Sequence, residues 1–178
     1  MGNPAVVMHW IGIDIGSQAV GWAVVQLMPA GRFFLHSCEA IDLGKAPLEN
    51  RLSTLHTWLL DHLKNWPTVT SVAIEEPFVG KSIRSALTLG TVKGLVWSLL
   101  LSQGKPPPHR LAAVQVKKAI TGRPHADKTQ VAAMLQHYLV SAELPQNPHA
   151  TDAIAIAIAA ALAQNSPISR RLKSRAER

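Results

Sequence analysis

Three β-rich apolar runs follow one another at the start of the chain, and the shortness of their connections limits the folds open to it. Val6 to Asp14, Gly21 to Leu27 and Arg32 to Ile41 are separated by six residues that include Gly16-Ser17 and by four that include Pro29-Ala30-Gly31. Strands joined by turns this short predict an antiparallel meander. The period then changes. Within Pro47 to Leu63, Leu48, Leu52, Leu55, Leu59 and Leu63 recur at intervals of four, three, four and four, which is one face of a helix.

Thr68 to Glu75 returns to strand after Pro67, and a long helix is expected from Ser82 to Leu101. Leu111 to Val114 reads as a short strand after Pro106-Pro107-Pro108. Ala126 to Leu139 reads as a helix with Asp127 near its start. The run Ala153-Ile154-Ala155-Ile156-Ala157-Ile158 alternates with period two, formally a strand signal. Its alanine content and Ala-rich continuation favour helix, because alanine is the best helix former and poor in strands. The order βββαβα, then a strand with helices behind it, predicts a mixed α/β sheet. With 178 residues and no internal repeat, we expect one domain over residues 1–166 and a basic, flexible tail over 167–178.

Composition excludes other classes. At 47% hydrophobic the chain can bury a core, so it is neither disordered nor collagen-like. Its one cysteine, Cys38, rules out a disulfide scaffold and a cysteine-based zinc cluster, and a reducing compartment is expected. The longest apolar run, Ala153 to Ala163, is 11 residues, against the roughly 20 of a membrane helix. No stretch has the form of a signal peptide, so the expectation is a soluble protein with no membrane partner.

The net charge of +7 is unevenly spread. Residues 1–78 carry a net −3, residues 79–131 a net +8 and residues 132–178 a net +2. Basic charge concentrated in the middle points to a polyanion, with DNA or RNA the leading candidate. The acids are scarcer. Asp14 ends the first strand and Glu75 the fourth, where an ionised carboxylate is costly to desolvate unless something positive pairs with it. Asp152 lies against the Ala/Ile helix, with His149 three residues earlier on the same face. Three carboxylates and a histidine converging from distant positions would suit Mg²⁺ or Mn²⁺. Each acid also has a plainer reading: Asp14 as turn former, Glu75 as a strand-end surface charge, Asp152 as a helix cap.

These residues sit in segments that resemble a known family. GIDIGSQAVGWAVV (Gly12 to Val25) is similar to the Asp-bearing opening strand and hairpin of RNase H-like nucleases of the RuvC type. VAIEEPFVGKSIRSALTLGTVKGL (Val72 to Leu95) closely resembles the second motif of the RuvC Holliday-junction resolvases. QVKKAITGRPHADKTQVAAML (Gln115 to Leu135) resembles the family's Val-Lys and Lys-x-Gln-Val segment, and NPHATDAIAIAIAAA (Asn147 to Ala161) its closing acidic helix. The order holds from about Trp10 to Ala163. Two positions depart from the pattern: Ile15 stands where most resolvases have Pro, and Arg123-Pro124 replaces a Gly-containing stretch. Trp22, in Val-Gly-Trp-Ala-Val, is also similar to the RuvC-like domains of CRISPR effector nucleases.

The resemblance implies an RNase H-like mixed five-stranded sheet flanked by helices. It implies a metal-dependent endonuclease that resolves four-way DNA junctions as a homodimer, by paired symmetric nicks leaving 5′-phosphate and 3′-hydroxyl ends. By position, Asp14, Glu75, His149 and Asp152 match the metal ligands, for two Mg²⁺ ions per site with Mn²⁺ able to substitute. Strand alternation points Glu75 and Glu76 in opposite directions, and the resemblance aligns the Glu of Ala-Ile-Glu with Glu75, so Glu76 is the second choice. Lys117 and Lys128 align with lysines at the active-site margin, so both join the catalytic set. Phe78 matches an aromatic that stacks on junction bases, and Lys81, Arg84, Lys118 and Arg123 are expected, with Lys117 and Lys128, to contact DNA. A branch-migration helicase is a further expected partner, and the expected location is the cytoplasm, with the nucleoid, or an organelle. The alternatives are an RNase H-like nuclease of broader branched-DNA or RNA substrates, a non-catalytic junction-binding module and, more remotely, a small actin-like nucleotide-binding fold.

Overall fold

The computed structural model describes residues 7–76, 82–140 and 143–165. The opening runs form the expected meander: β1 (His9–Ile15) pairs antiparallel with β2 (Ala19–Leu27), and β2 with β3 (Phe33–Asp42). β4 (Ser71–Glu76) lies parallel to the free edge of β1, and β5 (His109–Ala112) parallel to β4. The strand order is β3-β2-β1-β4-β5, the mixed five-stranded sheet expected.

Five helices follow local signals. The leucine face lies on α1 (Leu48–Asn65). Ser82 caps α2 (Ile83–Ser102) by accepting the Ser85 N–H, and Asp127 caps α4 (Lys128–Tyr138) reciprocally with Gln130. The alternating Ala/Ile run is helical, within α5 (Pro148–Gln164). Asn147 accepts the His149 N–H at its start and Pro148 occupies the first turn, which is why the period-two pattern does not make a strand. Two expectations shift. The fifth strand begins two residues early, at His109, and Val114 instead belongs to α3 (Ala113–Thr121). Gln115 reaches back to accept the Ala112 N–H at 2.8 Å, so the helix starts where the apolar run had suggested more strand. The expected first strand starts at His9; residues 1–6 and the tail over 167–178 lie outside the described residues.

Alternation along β1 divides the interior between two faces. Ile11, Ile13 and Ile15 join Trp22 and Val24 of β2 beneath Leu55, Leu59 and Leu63 of α1 and Val92, Val96 and Leu100 of α2. Although α2 is long and apolar enough to cross a membrane, it is one wall of this core, and its Lys93 pairs with Glu76. Trp10, Ala23 and Val25 look the other way, toward α3, α4 and α5. Here the sheet carries Gly12 and Gly21. A Cβ at Gly12 would fall 2.1 Å from the Ala153 carbonyl oxygen, and one at Gly21 would fall 1.9 Å from that of His149. The backbone of α5 therefore rests directly on the sheet, as only glycine permits at these two positions.

Candidate active site

Asp14 is the next-to-last residue of β1 and shares the face of Gly12, so it points toward α5 rather than into the aliphatic core. Its antiparallel partner is Gly21, the residue over which the first turn of α5 lies. That arrangement brings His149 to it: the imidazole donates its Nδ1–H to Asp14 Oδ2 over 2.7 Å. The parallel register Ile13↔Ile74 carries Glu75 alongside Asp14 one residue further on. Asp152, one helical turn beyond His149, binds Lys128 Nζ through Oδ2 at 3.1 Å. It is not the cap of its helix, a place held by Asn147.

The electrostatics record how closely these groups stand. Burial raises the Asp14 carboxyl above its ordinary value, the His149 hydrogen bond and charge oppose that rise, and Asp152 adds to it. Glu75 is pushed up to about 7, first by burial and then by the charges of Asp14 and Asp152, with Lys117 and Lys128 pulling the other way. Three acids that resist shared ionisation, beside an imidazole, make a donor set suited to a hard divalent cation, which relieves that repulsion. Among the described residues no three such groups already stand at ligating spacing. Side chains must therefore shift for an ion to bind, beginning with Lys128 leaving Asp152.

A cleft of about 430 Å³ opens beside this cluster, bordered by Glu75, Lys117, Lys128, Thr151 and Asp152. Lys117 reaches it because α3 starts immediately after β5, and Lys128 because it is the first residue of α4. Strand alternation separates the two neighbouring glutamates as expected: Glu76 pairs instead with Lys93 at 2.9 Å and Arg110 at 3.3 Å. Arg84, Lys118 and Arg123 are exposed and do not line the cleft. Phe78 and Lys81 lie outside the described residues. Sequence reasoning missed Thr151, whose hydroxyl donates to the Pro145 carbonyl at 3.1 Å and pins the entry to α5. It also missed Gly12 and Gly21. Their signal was present, in glycines two residues before and seven after Asp14 together with a helix of alanines.

The fold and sequence have counterparts among known proteins. Residues 10–160 match the family described as crossover junction endodeoxyribonuclease RuvC. The crossover junction endodeoxyribonuclease RuvC of Beijerinckia indica is 33% identical over 93% of this chain and 92% of its own length. That of Roseiflexus sp. is 35% identical over 92% and 95%. Among solved structures, Thermus thermophilus RuvC in complex with Holliday junction substrate superposes with a TM-score of 0.80 at 30% identity, covering 88% of this chain and 94% of that one. The yeast mitochondrial Holliday junction resolvase Ydc2 shares the fold, with a TM-score of 0.62 at 12% identity over 92% of this chain and 83% of that one.

Proposed function

The chain belongs to the RuvC family of crossover junction endodeoxyribonucleases, and from that membership we propose that it resolves four-way DNA junctions by paired symmetric nicks. The observation that carries this reading is the gathering of Asp14, Glu75, His149 and Asp152 from β1, β4 and α5 beside a cleft edged by Lys117 and Lys128. In the proposal these four side chains hold Mg²⁺, two ions per site, with Mn²⁺ able to substitute. Such ions, when bound, neutralise the phosphodiester and acidify a water for its hydrolysis to 5′-phosphate and 3′-hydroxyl ends.

The chain's own groups have defined parts in that scheme. Asp14 accepts the Nδ1–H of His149, fixing the ring and leaving Nε2 as the nitrogen available to an ion. Lys128 is free to leave Asp152 for a phosphate, because an exposed ion pair of this kind is worth only about 0–1 kcal/mol. Lys117 and Lys128 then stabilise negative charge as it builds on the phosphate oxygens. Exposed Arg84, Lys118 and Arg123, together with Phe78 and Lys81, belong to the proposed DNA-contacting surface. Two symmetric nicks require two such sites, so the proposal includes a homodimer.

The test incubates the chain with a four-way junction, a linear duplex and an RNA–DNA hybrid, each with Mg²⁺, Mn²⁺ or EDTA. Paired nicks confined to the junction and silenced by EDTA are expected. Cleavage that persists in EDTA, or equal cutting of the linear duplex, contradicts the proposal.

A further inference from the structure

At the end of β1 away from Asp14, about 17 Å along the strand, a second cluster assembles on the α1 side of the sheet. Its members come from three strands and the end of a helix. The ring centroids of His9 and His36 stand 5.0 Å apart at 70° to each other. Trp66, the residue closing α1, lies against both, 5.1 Å from His9 and 5.2 Å from His36. Lys105 holds that corner in place by donating to the carbonyl oxygens of Trp66 and Pro67 at 2.6 and 3.0 Å.

Local backbone design puts His36 there. Val24 pairs with Ser37 but Val25 with Leu35, so His36 is the extra residue of a β-bulge. A bulge re-aims the side chain it carries. The ring is then fixed by Gln26, whose Oε1 lies 2.8 Å from His36 Nε2. An amide oxygen only accepts, so the proton is on Nε2 and Nδ1 keeps its lone pair. A histidine whose second nitrogen is satisfied by a neighbouring oxygen is the usual arrangement behind a metal ligand. The spacing agrees: two imidazole nitrogens at about 2.0–2.1 Å from one tetrahedral ion set their ring centroids about 5 Å apart.

We propose that His9 and His36 form a two-histidine site for a borderline divalent transition metal, Zn²⁺ or Ni²⁺, with Gln26 as the residue that orients His36. Imidazole suits these ions, whereas Mg²⁺ prefers oxygen, so the site is chemically separate from the carboxylate cluster. Burial pulls both rings below the ordinary histidine range, and the charge of His9 lowers His36 further. No ion pair engages either ring among the described residues. His36 is exposed, which leaves the remaining coordination positions to water. A bound ion ties edge strand β3 to β1 across the intervening β2.

The test uses the untagged full chain, stripped with EDTA, dialysed and returned to millimolar Mg²⁺ so that hard-oxygen sites are filled. Zn²⁺ is then titrated by calorimetry and by NMR of selectively labelled histidine rings. One equivalent of Zn²⁺ should shift the His9 and His36 signals together. His9→Ala and His36→Ala should each weaken that binding by at least about tenfold, and Gln26→Leu by about tenfold. Far-ultraviolet dichroism of each metal-free variant establishes that it is folded. Unmoved His9 and His36 signals at one equivalent, or unchanged Zn²⁺ affinity in folded His36→Ala, overturns the site. Because the readout is metal binding at these rings, it is independent of whether the chain cuts junctions.

Discussion

The two faces of the sheet are packed differently around its central strands. On the side of α1 and α2, large side chains fill the space: Ile11, Ile13, Leu55, Leu59, Leu63, Ile74 and Leu100 are fully buried. Each such residue contributes about 1.5–3 kcal/mol by leaving water. On the other side, the alanine-rich face of α5 lies on Gly12 and Gly21, with almost no side chain between helix and sheet. Alanine buries less area, so this contact stabilises less per residue. It fixes something else. His149 and Asp152 ride on the first two turns of α5, and backbone touching backbone determines where they meet Asp14. Trp10, Phe33, Ile120 and Leu135 supply bulk on this face too, but over the two glycines the contact sets distance.

The sharpest way to break that contrast is to insert a side chain under α5. Gly21→Val places carbon where the His149 carbonyl oxygen now lies, displacing the first turn of the helix. Misplacement by about 1 Å can cost on the order of 10²-fold in rate, so single-turnover cleavage should fall at least that far while junction affinity changes little. Full turnover in the folded variant would mean that the close approach has no catalytic role. The converse substitution is on the aliphatic face. Leu59→Ala should lose about 2–5 kcal/mol of stability in denaturant unfolding, with the cleavage rate per folded molecule kept within twofold.

Smaller effects sharpen the picture at the cleft. Lys128→Ala should lower the cleavage rate about tenfold while leaving the melting temperature nearly unchanged, since its pair with Asp152 is exposed. Equal losses of rate and affinity would make it a plain phosphate contact. The smallest effect concerns Glu75 in metal-free protein. Its carboxyl is raised from 4.5 to about 7, so the folded chain holds a proton there that the unfolded chain releases. Its contribution is therefore favourable below about pH 4.5 and is lost as pH rises through 7. Glu75→Gln should melt higher than the parent at pH 8, with the difference shrinking toward pH 5. A difference that grows on acidification would contradict the raised value.

Much of this was legible in the sequence where one signal dominated. The leucine spacing of α1 and the start signal at Asp127 placed helices to within a few residues. The alternating Ala/Ile run was readable only because propensity outweighed period. α3 was not legible: Ala113-Val114 continue an apolar strand pattern, and the signal that turns it into helix is a single side chain, Gln115, accepting the Ala112 N–H three residues back. The four site residues stood out by chemistry and by family resemblance, yet their meeting depends on register. The pairings Asp14↔Gly21 and Ile13↔Ile74 cannot be counted off one chain. Nor can the bulge at His36, which appears only once β3 is laid against β2.

In the proposed mechanism the carboxylates brought together by β1, β4 and α5 cut DNA. That mechanism is tested most directly by Asp14→Asn, measuring single-turnover cleavage of a four-way junction in saturating Mg²⁺ together with junction affinity. The structure predicts cleavage reduced to background with affinity within a few-fold of the parent. Cleavage by Asp14→Asn at the parent rate would contradict it.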